Sequence, residues 1–312
     1  MTLDISNLLG ELTETRAFSR IRRVSFLGII DLINQQRKGV RPAYSRAEHS
    51  LGVLRLGYAA AKHIQMDEVE AAHLLAACMV HDMGHPPFSH SLEYAFKKHD
   101  RMTTHHDVLR EILLAPSGNE REVPRIVKSH GLSAERLYNI IDGGDPLSFF
   151  FLSPINIDTL DGINRSMESF GIFPTYNLEI LTQITAEIYA GGTISNPAVR
   201  GEMDRFWHNK SLFYRVLSSE NPLSLAERKF QRAVRRHLPK LSRGHFRLTD
   251  QEFSLRYPQV MLESNLDMGP EEIAARQDFL IDSTVGSVDR KTVYDRYVRV
   301  KYENRRSKLN AS

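Results

Sequence analysis

At 312 residues, with 41% hydrophobic and 25% charged side chains, the chain has the make-up of a soluble globular protein, long enough for one large domain or a domain with an appendage. Its single cysteine, Cys78, excludes a disulfide framework and a thiolate metal cluster, and its apolar runs are too short to cross a bilayer. A net charge of +3 suits an anionic ligand without requiring one.

The first sixteen residues lack a basic segment followed by a long apolar stretch, so no signal peptide is expected and the cytoplasm is the default location. Residues 14–34 place Phe18, Ile21, Val24, Leu27 and Ile30 at steps of three, which predicts one helix. Leu51, Leu54, Tyr58 and Ala61 predict a second over 46–64. A third, over 67–82, opens on Asp67 and Glu68 and ends at His81-Asp82; its last turns are apolar all round, which predicts a central position. Gly84, Pro86 and Pro87 break it, and Ser89 is placed to cap a helix running through Glu93 and Phe96.

Further helices are predicted near 104–114, 121–130, 133–141 and 156–170, with a turn at 142–146. Beyond about residue 175 the chain stays helical but is more polar and basic; residues 285–301 alternate enough for a short strand or hairpin. The expected fold is all-α, divided into a domain over 1–175 and a mostly helical extension over 176–312.

Candidate chemistry concentrates between 49 and 158. His49, the adjacent His81-Asp82 and the distant Asp158 form a set of two imidazoles and two carboxylates able to hold a divalent metal that binds phosphate oxygens and activates water. His81 and Asp82 point about 100° apart on a helix, so both reach one metal only where the helix ends, which Gly84-His85-Pro86-Pro87 provides. Six of the thirteen histidines fall between 81 and 106. His90 and Glu93 lie three apart, so a carboxylate can fix the imidazole tautomer. Arg46, three before His49, suits a phosphate clamp.

The segments Arg46-Ala-Glu-His49-Ser-Leu-Gly, His81-Asp82-Met-Gly-His85-Pro-Pro-Phe-Ser-His90 and Ile157-Asp158 resemble the motifs of the HD-domain phosphohydrolases. They are most similar to the deoxynucleoside triphosphate triphosphohydrolase branch, whose N-terminal segment Ala17–Arg23 and Leu27-Gly28 also resemble. The resemblance covers roughly 14–170 and implies an HD-domain helical bundle. It implies His49, His81, Asp82 and Asp158 as ligands of one divalent ion (Mn, Fe, Zn, Co, Ni or Mg), and His90 with Glu93 as a dyad that activates water or protonates the leaving group.

Among the other residues, the resemblance implies His85 and His106 at the phosphates; His105 is the neighbouring candidate, and His106 is preferred because an acid follows it. Arg46, Arg20 and Asp161 are placed on the substrate side, Asp161 also being able to order the ligand shell from outside. The chain departs from the branch at Phe26, where a glutamine is usual, and at Thr159 and Gly162, where a lysine and a tyrosine are usual. Hydrolysis of a nucleotide or nucleotide-like phosphate ester is therefore expected, with triphosphate release leading and phosphomonoester or phosphodiester cleavage following. A non-catalytic sensor of nucleotide or nucleic acid, reading through the basic run 228–247, is the competing class. No membrane partner is expected, and the family's habit of oligomerising implies a homo-oligomer.

Overall fold

The computed structural model describes residues 4–36, 44–95, 103–218, 222–238, 242–264 and 277–301. In chain order the helices are α1 (Ile5–Glu14), α2 (Arg16–Ile21), α3 (Ile29–Gln36), α4 (Arg46–His63), α5 (Glu68–Val80), α6 (Ser89–Tyr94), α7 (His105–Leu114), α8 (Glu122–Ser129), α9 (Ala134–Asp142), α10 (Phe149–Leu152) and α11 (Ile157–Ser169). There follow α12 (Leu178–Tyr189), α13 (Pro197–Ser218), α14 (Pro222–His237), α15 (Asp250–Arg256), α16 (Pro258–Ser264), β1 (Gln277–Ile281), α17 (Thr292–Arg296) and β2 (Tyr297–Lys301). The fold is all-α with a helical extension, and the antiparallel pair β1–β2 is the one sheet among the described residues.

Helix starts follow local chemistry. Ser45 with Glu48, Thr104 with Asp107 and Asn156 with Thr159 close capping boxes on α4, α7 and α11. Asp67 accepts from the Val69 and Glu70 amides at the start of α5. Each such cap stabilises its helix by about 1 kcal/mol.

Helix α5 lies at the centre, packed by α4, α9 and α1, and every side chain from Ala72 to Val80 is buried. Two glycines set the spacing of α4. A methyl group at Gly57 would press on the Cys78 sulfur, and one at Gly52 would run into the Asp161 carboxylate of α11. The main core runs from Leu8 through α5 to Trp207 and Phe279, and a smaller one joins Ile29, Phe88 and Leu92 to Phe230, Val234 and Phe253. Residues beyond 175 contribute to both.

Three expectations need correction. The predicted helix over 14–34 is two helices, because Val24–Phe26 pairs with the chain before α4 instead of continuing the spiral. The Phe26 amide donates to Tyr44 O at 2.8 Å and the Arg46 amide to Val24 O at 2.9 Å, and Gly28 turns at φ +67° with no room for a side chain against Phe88 O. Ser89 does not cap α6: Phe88 precedes the helix in a left-handed conformation, and the Ser89 hydroxyl donates to Ser25 O and accepts from Arg46. The predicted extension of that helix to Phe96 lies outside the described residues. The strand expected within 285–301 is confined to 297–301; its partner is 277–281, and 292–296 is helical.

Asp31 is buried with the Leu27 amide donating to one oxygen at 2.7 Å and no hydrogen bond to the other. Burial pushes its pKa up to about 7 in spite of that bond. The folded state therefore keeps this proton after the unfolded chain has lost it. The resulting stabilisation is complete below about pH 4 and is lost as pH rises towards 7. Asp31→Asn is expected to flatten that decline by on the order of 3 kcal/mol, read by urea unfolding across the interval. A decline as steep in the variant as in the parent would assign it to other groups.

Candidate metal centre

Helix α4 delivers His49, the end of α5 delivers His81 and Asp82, and the start of α11 delivers Asp158. The ligating atoms of His49, His81 and Asp158 lie within 4.8 Å of one another. His49 Nε2 is 2.9 Å from Asp158 Oδ1 and 3.4 Å from His81 Nε2. Helix α5 stops at Val80, so Asp82 turns to the same side; its oxygens stand 3.5 Å from His81 Nε2 and 3.8 Å from His49 Nε2.

The remaining atoms of these ligands are tied down from behind. His49 Nδ1 is 2.8 Å from Asp161 Oδ2, and His81 Nδ1 donates to Cys78 O at 2.9 Å, so each ring presents Nε2 to the centre. Arg165 holds Asp161 in turn. Asp82 accepts from Arg46 Nη1 at 3.0 Å and lies 3.2 Å from His85 Nε2.

These residues fit a divalent cation. Burial opposes charge on His49, yet hydrogen bonds to Asp158 and Asp161 outweigh it and lift its pKa to about 9. Burial likewise opposes charge on Asp158, but His49 brings it down to about 2. Asp82 stays well below the usual carboxylate range because His81, Arg46 and His85 overcome its burial. The pocket thus stabilises positive charge among carboxylates, a demand that a borderline or hard divalent ion on nitrogen and oxygen donors satisfies. A saturating divalent ion is expected to raise the melting temperature by several degrees, and Asp158→Asn to abolish most of the rise. Melting indifferent to every divalent ion tested would remove the metal reading.

Beside this centre lies a second group of His85, His90, Glu93 and His105. Phe88 and Ser89, at φ +55° and +48°, turn the chain between His85 and His90, and Asp250 of α15 accepts the Phe88 amide at 2.7 Å to hold the turn. The buried Glu93 carboxylate lies 3.0 Å from His90 Nδ1 and 2.9 Å from His105 Nδ1. Burial opposes its charge, but hydrogen bonds from His105 and His90 hold its pKa far below normal. An ionised carboxylate only accepts, so Nδ1 of His90 carries the proton and Nε2 keeps a lone pair. Burial also lowers the His90 pKa against the pull of Glu93, leaving a neutral base. His85 is held well below its usual value by burial, Arg46 and His105, and its ring stacks on His105 at 4.0 Å.

Both groups open into one cavity of about 360 Å³, lined among others by Phe26, Thr159, Gly162, His106, Tyr94, Lys210, Tyr214 and Glu227. Several predicted roles change here. Arg20 is absent from the wall; it braces the turn behind it, donating to Met83 O at 2.7 Å and His85 O at 2.8 Å. Arg46 lines the cavity, but its Nε, Nη1 and Nη2 already donate to Ser89, Asp82 and Phe26 O. Asp161 sits behind His49, away from the substrate side. His105 bonds to Glu93 and lines the cavity alongside His106, whose Nδ1 lies 3.7 Å from Asp142.

The sequence also gave no notice of Lys210, Tyr214 and Glu227, which come from α13 and α14 far from any motif. The one available signal was a lysine set among Phe206, Trp207, Phe213 and Tyr214. In the basic run 228–247, Arg236 and His237 pair with Glu263, Arg243 with Glu111 and Arg247 with Glu120. Much of that charge is compensated within the chain.

Residues 46–149 match the family model of the HD domain, a family made up mostly of metal-dependent hydrolases. Asp158 lies beyond the matched segment. The uncharacterized protein YwfO of Bacillus subtilis (strain 168) is 35% identical over 112 residues, which are 34% of this chain and 24% of that protein. The uncharacterized protein MG461 of Mycoplasma genitalium is 28% identical over 138 residues, 42% of this chain and 30% of its own length. The uncharacterized protein MJ1154 of Methanocaldococcus jannaschii is 33% identical over 90 residues, 29% and 18% of the two chains. The likeness therefore covers less than a third of each of these relatives. Among the described residues no helix is long and apolar enough to cross a membrane.

Proposed function

We propose that the chain is a metal-dependent phosphohydrolase acting on a nucleotide or nucleotide-like phosphate ester. The reading rests above all on one observation: the converging His49, His81 and Asp158 open into the same cavity as His90, whose Nδ1 lies 3.0 Å from the buried Glu93 carboxylate. A divalent ion held by His49, His81, Asp82 and Asp158 would polarise a phosphoryl oxygen and lower the pKa of water. The chain's own groups do the rest. Asp161 and Cys78 O fix the imidazole tautomers, and Arg46 keeps Asp82 ionised. His90 Nε2 accepts the proton of the attacking water, Glu93 holds the resulting imidazolium, and His85 and His106 face the developing charge from the cavity wall.

Release of triphosphate from a deoxynucleoside triphosphate leads among substrates, on the similarity of motifs. The cavity favours a second reading at one point. Phe26 lines the wall with its ring 4.7 Å from His49, where a polar sugar reader is usual in the resembling branch. Cleavage of another phosphomonoester or phosphodiester is that second reading. Incubation with Mn²⁺ and a panel of deoxynucleoside triphosphates, nucleoside monophosphates and a generic phosphodiester, followed by ion-exchange chromatography, separates them. Intact triphosphate, lost in His81→Ala, supports the first; free phosphate or an opened diester supports the second. No turnover of any member would transfer the reading to a non-catalytic sensor.

A further inference from the structure

We propose that Lys210 is the phosphate-docking cation of the cavity, taking a phosphate group of the ligand on its ammonium beside the metal-ligand cluster. The proposal deepens the hydrolase reading and, for its biological meaning, rests on it.

Lys210, on α13, is only 7% exposed, and it lines the cavity together with Asp158. Its ammonium stands 4.7 Å from the Trp207 ring centre, 5.4 Å from Phe279 and 5.9 Å from Phe206. Among the described residues its one hydrogen bond is a long one, 3.5 Å to Pro154 O. An ammonium has three donors, so most of its capacity is unspent. Among the described residues it forms no ion pair, although lysines this buried are ordinarily paired.

Among the described residues the other Lys or Arg on the wall is Arg46, whose nitrogens are committed to Ser89, Asp82 and Phe26 O. Lys210 is thus the lining cation with donors to give. Burial, helped by Arg299 and opposed by Asp158, lowers its pKa to about 7, so an arriving anion would also secure its charge. Aromatic ring faces attract the ammonium without offering a lone pair, so most of its N–H groups still lack an oxygen acceptor. A purely structural anchor has no use for them, and a phosphate oxygen does. Tyr214, one turn further along α13, lines the same cavity.

The test is calorimetric titration of the full-length, metal-loaded protein with orthophosphate, pyrophosphate and tripolyphosphate. Lys210→Met is expected to weaken binding about tenfold or more while leaving the melting temperature equal or higher, and Lys210→Arg to retain most of the affinity. Weakening confined to the longer anions places the docked phosphate away from the metal, and weakening shared by orthophosphate places it at the metal; both support the assignment. Where Lys210→Met does not fold, Lys210→Gln carries the same comparison. A parent protein that binds none of the three anions, or a Met variant that binds them as tightly as the parent, overturns it. Lys210-dependent binding without turnover of any substrate would sink the hydrolase reading alone. Turnover with Lys210-independent binding would sink this one alone.

Discussion

Asp82→Ala is expected to destabilise the protein by about 3–5 kcal/mol, the largest loss of stability for any single site residue. The carboxylate is buried and stands between Arg46 Nη1 at 3.0 Å and His85 Nε2 at 3.2 Å, and Arg46 is itself only 5% exposed. Removing it strands a guanidinium whose other contacts, Ser89 Oγ and Phe26 O, are neutral. Chemical denaturation of the metal-free protein measures this directly, without any contribution from ion binding. Asp82→Asn should recover part of the loss, since an amide oxygen still accepts from Arg46. A loss below about 1 kcal/mol in the alanine variant would mean that water reaches Arg46 and that the pair behaves as a surface one.

The largest expected effect on rate is at His90. His90→Gln should lower kcat by about 10²–10⁴-fold while the divalent-ion shift in melting temperature stays as in the parent. The separation follows from the geometry: His90 bonds to Glu93 and contributes nothing to the His49–His81–Asp158 convergence. Because burial keeps His90 below its ordinary pKa, the parent rate should rise with pH through a value under 6.5 and then level off, and the variant should lose that limb. A variant retaining near-parental kcat would take the proton-transfer role away from His90. Loss of the metal shift as well would mean that the two clusters act as one.

The legible and illegible parts of this molecule divide by the range of the forces involved. Helices α4, α5, α7 and α11 were readable because apolar spacing and charge at helix ends act within a few positions, and the structure adds local caps of Ser45 with Glu48 and Thr104 with Asp107. The convergence of His49, His81 and Asp158 was readable from donor chemistry and a helix break. The single helix expected over 14–34 failed because Val24–Phe26 pairs with Tyr44–Arg46, a contact invisible to a three-residue period. Ser89 looked like a cap, yet its hydroxyl serves Arg46, brought from forty-three positions away. Arg20 looked like a substrate reader but closes the Met83 and His85 carbonyls. That His105 is the ring that meets Glu93 depends on how α6 packs on α7, and two adjacent histidines in sequence carry no information on that.

The cavity wall built by α13 and α14 has a consequence for how such chains can diverge. The segment matched to the HD domain ends at 149, so it holds three of the four expected ligands and the whole His90–Glu93 pair, but none of Lys210, Tyr214 and Glu227. On the function proposed above, most of the reacting groups and this part of the cavity wall lie on separate stretches of polypeptide. Helices α13 and α14 could exchange their inward residues, and so the molecule admitted, without moving a ligand. Two proteins identical across 46–149 could then perform the same bond cleavage on different compounds, and grafting these two helices between them would be the way to trade one preference for the other.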